Sequence, residues 1–338
     1  MRVAVVGATG YAGLELLRLL ATHEHLDVVL ATGDANAGRR VGEHAPALAA
    51  LYPSLVFAPT EAVRASDAEL VFLALPHGRS QDHVAELRER GIAVVDLGAD
   101  FRLRDAQEYE QWYGESHRVA RLLGDAVYGL VERHRSALVD ARFIAVPGCF
   151  PTATSLALGP FVDANVVERT AIVVNALSGA SGAGRAPSER LHYPRLAGNA
   201  EAYGLLRHRH TPEIQQELNA EVLFTPHLVA TSRGMLVSAY ARLRDHDLTT
   251  EGALALLRST YAHDPCVVVV DDPPSLKDPV GSNLCFLSAR VDQRTGWLIA
   301  MSSIDNLIKG AAGQAIQAWN VASGVDECTG LPMSGVTP

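Results

Sequence analysis

The sequence predicts an α/β protein in two parts: a parallel sheet flanked by helices, then an α+β part built on a mixed or antiparallel sheet. Three observations carry that prediction. In the first half, short apolar runs alternate with longer stretches of helical periodicity, the pattern of right-handed crossover units in a parallel sheet. In the second half, strand-like runs follow one another with fewer helices between them, which favours antiparallel neighbours. The 338 residues, 48% hydrophobic and 20% charged, suffice for two domains with sizeable cores.

Taken in order, Val3–Val6 reads as a strand, a glycine-rich turn follows, and leucines at 14, 16, 17, 19 and 20 mark a helix reaching Thr22. Val28–Thr32 is a second strand, Leu70–Leu75 a third ended by Pro76, Gln81–Arg90 a helix stopped by Gly91, and Ala93–Leu97 a fourth strand. In the second half Ala171–Leu177, Val222–Val229, Met235–Arg242, Val267–Val270, Leu284–Val291 and Trp297–Ser303 are strand-like, and a helix is expected from about Asn306 to Ala322. Composition shifts near Val146-Pro147-Gly148, and the domain boundary is placed there.

Charge and cysteine content narrow the function. With 29 Lys+Arg against 38 Asp+Glu, the net charge of −9 argues against a nucleic-acid partner held by a basic field. No apolar stretch approaches the roughly 20 residues needed to span a bilayer. The chain opens on a strand rather than a leader, so a cytoplasmic protein is expected. Four cysteines (Cys149, Cys266, Cys285 and Cys328) are neither a disulfide framework nor a C-x-x-C metal site, and no metal is expected.

Gly7-Ala8-Thr9-Gly10-Tyr11-Ala12-Gly13 lies between the first strand and the first helix. Glycines there allow a tight turn and let backbone N–H groups approach a pyrophosphate at the helix N-terminus, so Gly7, Thr9, Gly10, Tyr11, Ala12 and Gly13 are expected to bind a dinucleotide. After the second strand, Asp34 is the residue type that favours NAD, whereas Arg39 and Arg40 suit the 2′-phosphate of NADP. Pro76, His77 and Gly78 follow the third strand, where a cofactor-contacting loop belongs. Ser178, Gly179, Ser181, Gly182 and Arg185 form a loop after another strand, suited to lying against a flat ligand or a phosphate.

Pro147-Gly148-Cys149 precedes a helix-like run, which sets Cys149 at a helix N-terminus, where the dipole stabilises a thiolate nucleophile. Such a thiolate wants an acid–base partner, and His208-Arg209-His210-Thr211-Pro212-Glu213 offers two histidines just before a helix whose expected N-cap is Thr211 and first residue Pro212.

These motifs, with Gly98-Ala99-Asp100-Phe101-Arg102 and Asp305-Asn306-Leu307-Ile308-Lys309-Gly310-Ala311-Ala312-Gly313-Gln314, stand in one order over nearly the whole length. In this the chain resembles the N-acetyl-gamma-glutamyl-phosphate reductase family, related to aspartate-semialdehyde dehydrogenase. The resemblance implies a Rossmann-type NADP domain from residues 1–147 and 305–338, a catalytic and oligomerisation domain from 148–304, and a homodimer or homotetramer. It also implies reduction of a small acyl phosphate by NADPH through a thioester on Cys149. His210, or else His208, would be the acid–base residue and Glu213 an orienting acid. Arg102 and Arg185 would bind substrate, and Asn306 would contact the nicotinamide. Departures are Phe150 where Tyr is more frequent, Arg79 for His, and Val131 for Pro. Two rivals remain: a reductase of carrier-linked aminoadipyl phosphate, and a dinucleotide sensor without catalysis.

Overall fold

The computed structural model describes residues 1–244 and 247–336. It comprises two compact units, one of residues 1–147 with 311–331, the other of residues 148–310 with the segment from Pro332 onward.

In the first unit, β1 (Arg2–Val6), α1 (Tyr11–Leu20), β2 (Asp27–Thr32), the single turn α2 (Val41–His44), β3 (Phe57–Ala58), β4 (Leu70–Leu73), α3 (Gln81–Glu89), β5 (Ala93–Asp96), α4 (Ala106–Tyr113), β6 (Val127–Tyr128), α5 (Val131–Leu138) and β7 (Phe143–Ala145) follow in chain order. Their seven strands form one sheet in the order β3-β2-β1-β4-β5-β7-β6, and every pairing is parallel. The central strands read as unbroken apolar runs because a parallel sheet is covered on both faces. Val3–Val6, Leu70–Leu73 and Ala93–Val95 are accordingly all buried.

The second unit opens with α6 (Cys149–Asp163), followed by β8 (Val167–Gly179), the turn α7 (Tyr193–Leu196), β9 (Ala200–Ala202), α8 (His210–Leu218), β10 (Val222–Val229), β11 (Met235–Leu243), α9 (Thr250–Thr260), β12 (Val267–Val269), β13 (Cys285–Asp292) and β14 (Trp297–Ile304). Its sheet runs β12-β13-β14-β11-β8-β10-β9 and is mixed: β8–β10 and β12–β13 are parallel, the other pairs antiparallel. Period-2 burial is plain in β11, whose residues alternate buried and half-buried, so α6 covers one face and the other stays open within this unit.

The expected helix over 306–322 is not continuous. Residues Ile308–Ala312 form a wide π turn, and α10 (Gly313–Ala322) begins only after it. The Asp305 carboxylate accepts the N–H groups of Leu307 (2.8 Å) and Ile308 (3.2 Å), and the Asp305 carbonyl accepts the Gly310 N–H at 2.9 Å. These bonds start the turn in the second unit. The chain rejoins the first unit from Ala311, where α10 packs on α5 and Gln314 donates to the Gly129 carbonyl at 2.6 Å. The segment 305–310, expected with the cofactor domain, therefore sits with the catalytic one.

Among the described residues no helix is long and apolar enough to cross a membrane.

Candidate active site

Gly7 turns the chain after β1 with φ +79°, and a Cβ there would meet the Ala74 carbonyl oxygen at 2.5 Å. The Gly7 N–H donates to the Thr32 hydroxyl at 3.2 Å and the Ala8 N–H to the Thr32 carbonyl at 2.8 Å, tying the turn to the end of β2. Gly10 is the N-cap of α1; it lends no side chain, and no acid stands in the first turn. A Cβ on Gly13 would overlap the Gly7 carbonyl, so only glycine lets α1 start this close to β1. Helix N–H groups in a first turn have no intrahelical partner, and here the N-cap residue supplies no side-chain bond, so the turn fits a pyrophosphate. Thr9 packs against Gly33, and Tyr11 is exposed.

Beside this turn, Asp34, Arg64, Pro76, His77, Arg79 and Arg118 line a cleft of about 1010 Å³. Its loop is held from beneath by a buried carboxylate pair that sequence reasoning did not single out. Asp100 accepts the Gly78 N–H (2.6 Å), the Ser80 N–H (3.2 Å) and the Tyr109 hydroxyl (2.9 Å). The Ser80 hydroxyl lies 2.8 Å from Asp96 and 2.9 Å from Asp100, and one hydroxyl proton cannot serve two carboxylates. Burial, and then the charge of Asp100, push the Asp96 carboxyl up to about 7. Arg102 is buried in the same unit, donating to the carbonyls of Val146 and Leu97 at 2.8 Å each, so part of its guanidinium fixes the backbone leading to Pro147.

In the second unit Cys149 is the first residue of α6. Gly148 is its N-cap without a side-chain bond, and the first turn carries no acid. From α8, the buried Glu213 accepts the Gly148 N–H at 2.8 Å. Glu213 was expected to orient a histidine; this bond anchors the residue preceding Cys149. Gly310 abuts Cys149 so closely that a Cβ would lie 2.7 Å from the cysteine Cβ.

Around the start of α6, Phe150, Phe224, Tyr203, His208 and His210 form an edge-to-face ring cluster. Phe150 stands 5.5 Å from His208 and 5.8 Å from His210, and the two histidine rings are 4.9 Å apart. Phe150 is 2% exposed, which leaves little room for the hydroxyl of the more frequent Tyr. The two histidines differ. The Nδ1 of His208 accepts the His210 N–H at 3.1 Å, which leaves its proton on Nε2. Burial, and then Arg209 and Arg190, push His208 down to about 4, so it is neutral at physiological pH. This bond also corrects the expected helix start: α8 begins at His210, because the His208 ring caps it in place of the Thr211 hydroxyl. Pro212 then falls inside the first turn, where its missing N–H costs nothing.

Ser178 and Ser181 lie on the loop after β8. Asn306 donates to the Ser181 hydroxyl at 2.9 Å and accepts the Gly234 N–H at 2.9 Å. Both ends of its amide thus brace the 178–184 loop against the β10–β11 turn, and Gly182 closes over the Ser178 hydroxyl, where a Cβ would lie 2.6 Å away. Arg185 is exposed. Arg39 is exposed as well and donates to the Glu43 carbonyl at 2.7 Å. Among the described residues no group of three His, Cys, Asp or Glu side chains is placed to hold a metal.

Comparison with known proteins decides the family. Residues 2–141 match the semialdehyde dehydrogenase NAD binding domain, and 149–306 the semialdehyde dehydrogenase dimerisation domain. An N-acetyl-gamma-glutamyl-phosphate reductase of Heliobacterium modesticaldum is 41% identical over 100% of both chains, and one of Synechococcus elongatus is 42% identical over 98% of this chain and 96% of its own. The chain belongs to the N-acetyl-gamma-glutamyl-phosphate reductase family. Solved structures extend the fold of this family to aspartate semialdehyde dehydrogenases. That of Vibrio cholerae superposes with a TM-score of 0.72 at 20% identity, covering 95% of this chain and 97% of its own. That of Candida albicans, solved with NADP, gives 0.70 at 16%, covering 95% and 98%. The first unit is thus the NAD(P)-binding domain of the family and the second its dimerisation domain.

Proposed function

We propose that the chain reduces N-acetyl-L-glutamyl 5-phosphate to N-acetyl-L-glutamate 5-semialdehyde in arginine biosynthesis, with NADPH as reductant. The observation that carries this reading is Cys149 at the open N-terminus of α6, with His210 in the ring cluster beside it. The thiolate, favoured by the helix dipole, attacks the acyl carbon; the acyl–oxygen bond breaks, phosphate leaves, and a thioester remains. NADPH, held through its pyrophosphate by the first turn of α1, would supply the hydride for the thioester carbon when bound. His210 donates a proton to the resulting oxyanion and takes it back as the thiohemiacetal collapses, releasing aldehyde and restoring the thiolate. His208, neutral and fixed as a cap, orients His210 by its bond to the His210 N–H. The chain's net charge of −9 opposes two anionic ligands, so local donors must receive them: the first turn of α1 and the 178–182 loop for the cofactor, and Arg102 and Arg185 for the substrate.

The preference for NADP rests on Asp34. Its carboxylate accepts the Thr60 N–H at 2.6 Å, an engagement that competes with any bond to a ribose 2′-hydroxyl, while Arg39 stands exposed nearby. The open sheet face of the second unit supports a homodimer, alone or as half of a tetramer. There Tyr240 lies opposite Val173 and Ile299, and Leu236 opposite Leu177, all half-buried within one chain. We place the protein in the cytoplasm, where a catalytic thiolate stays reduced.

The reverse assay tests the function: N-acetylglutamate semialdehyde, phosphate and NADP should yield NADPH, faster than NAD yields NADH. Cys149→Ser should abolish turnover while NADPH still binds. A higher kcat/KM for the one-carbon-longer aminoadipyl substrate would overturn the assignment, since one methylene is worth about 10–200-fold.

A further inference from the structure

Arg190 lies in the turn Glu189–Leu191, in a segment to which the mechanism assigns no task. Its guanidinium carbon sits 4.5 Å above the ring of Tyr203, and its charge contributes to keeping His208 neutral. It is half-buried, yet among the described residues no carboxylate pairs with it. The adjacent acid, Glu189, is turned to Arg195 at 3.2 Å, and Arg195 also reaches Glu201 at 3.5 Å. Tyr203 is held at the edge of the sheet by its N–H bond to the Pro226 carbonyl (3.1 Å), with its ring 5.5 Å from that of His208. Its hydroxyl donates to no described residue. Burial and the charge of Cys149 keep it a neutral phenol, hence a donor. A half-buried cation without a counter-ion, stacked on a phenol with an unused proton, is a seat for an anion.

We infer that Arg190, with Tyr203, binds the α-carboxylate of the substrate and so selects a carboxylated acyl phosphate. The inference rests on the proposed reaction. The phosphate is bonded to the carbon that Cys149 attacks, whereas Arg190 is separated from Phe150, the next residue, by the rings of Tyr203 and His208. The anion it meets is therefore the one at the far end of the glutamyl chain. Arginine presents a planar fork that a carboxylate matches with two hydrogen bonds, while its other face remains stacked on the tyrosine.

The test runs in the reverse direction, where semialdehyde and phosphate are varied separately. Arg190→Met keeps the stem over Tyr203 and removes the charge. It should raise KM for the semialdehyde about tenfold or more, as expected for a lost charge-assisted bond, and leave kcat and the KM for phosphate nearly unchanged. Arg190→Lys should recover part of the loss, and Tyr203→Phe should cost about threefold. 4-Acetamidobutanal, which lacks the carboxylate, provides the control: the wild type should strongly prefer the carboxylated aldehyde, and Arg190→Met should erase most of that preference. A raised KM for phosphate instead, or a preference that survives in Arg190→Met, would overturn the inference. Inactivity of the wild type towards the semialdehyde would instead overturn the reaction itself.

Discussion

At the scale of single residues, two neighbours of Cys149 yield sharp expectations. The neutral, capping His208 is set aside as the acid–base group, so under the proposed mechanism His210 contributes an ionisation to kcat. That ionisation should vanish in His210→Asn, and a pH profile unchanged in this variant would move the role elsewhere. Gly310 touches Cys149, and the Cβ of Gly310→Ala would lie 2.7 Å from that of Cys149. A displacement of the sulfur should lower kcat by about 10²-fold while NADPH binding, followed by fluorescence titration, stays intact. Cys149 itself was legible in the sequence, since proline and glycine before a helical run set a helix start. The long-range contacts around it were not: Glu213 reaches Gly148 across 65 residues, and Arg190 stacks on Tyr203 outside any periodic pattern.

At the scale of elements, β10 was read more accurately than the start of α8. β10 spans Val222–Val229 as its alternation predicts, because a strand's pattern reflects burial on one face directly. The start of α8 was misplaced because a histidine ring performs the capping that a threonine hydroxyl was expected to perform. Short strands such as β3 and β9, of two and three residues, carry no period to detect. The open face of β8, β11 and β14 has a consequence for assembly. Tyr240→Asp, at the centre of that face, should shift sedimentation towards the monomer with little change in far-UV circular dichroism, and an undisturbed oligomer would locate the interface elsewhere.

At the scale of the whole molecule, the late return of α10 to the first unit makes stability depend on pH. His23 is buried at the end of α1, its Nε2 2.9 Å from the Asn320 Oδ1 of α10, and its Nδ1 accepts the His25 N–H at 3.2 Å. That arrangement suits only the neutral ring, and burial holds its pKa below the ordinary 6.5. The unfolded chain therefore binds the proton more readily, so the contribution is fully present above pH 6.5 and is lost as pH falls through the folded value. Urea unfolding at pH 7 and pH 5 should show the loss, and His23→Gln should flatten it.

By itself the sequence determined the two sheet types, most of their strands, the dinucleotide turn and the helix start at Cys149, because each is written in a few consecutive residues as a periodicity or a helix boundary. Only the tertiary structure decided that the His208 ring caps α8, that segment 305–310 belongs beside Cys149, that Asn306 braces a loop, and that Arg190 stands over Tyr203 with no described carboxylate. These depend on contacts between residues distant in sequence, where register and packing rather than local propensity select the partner.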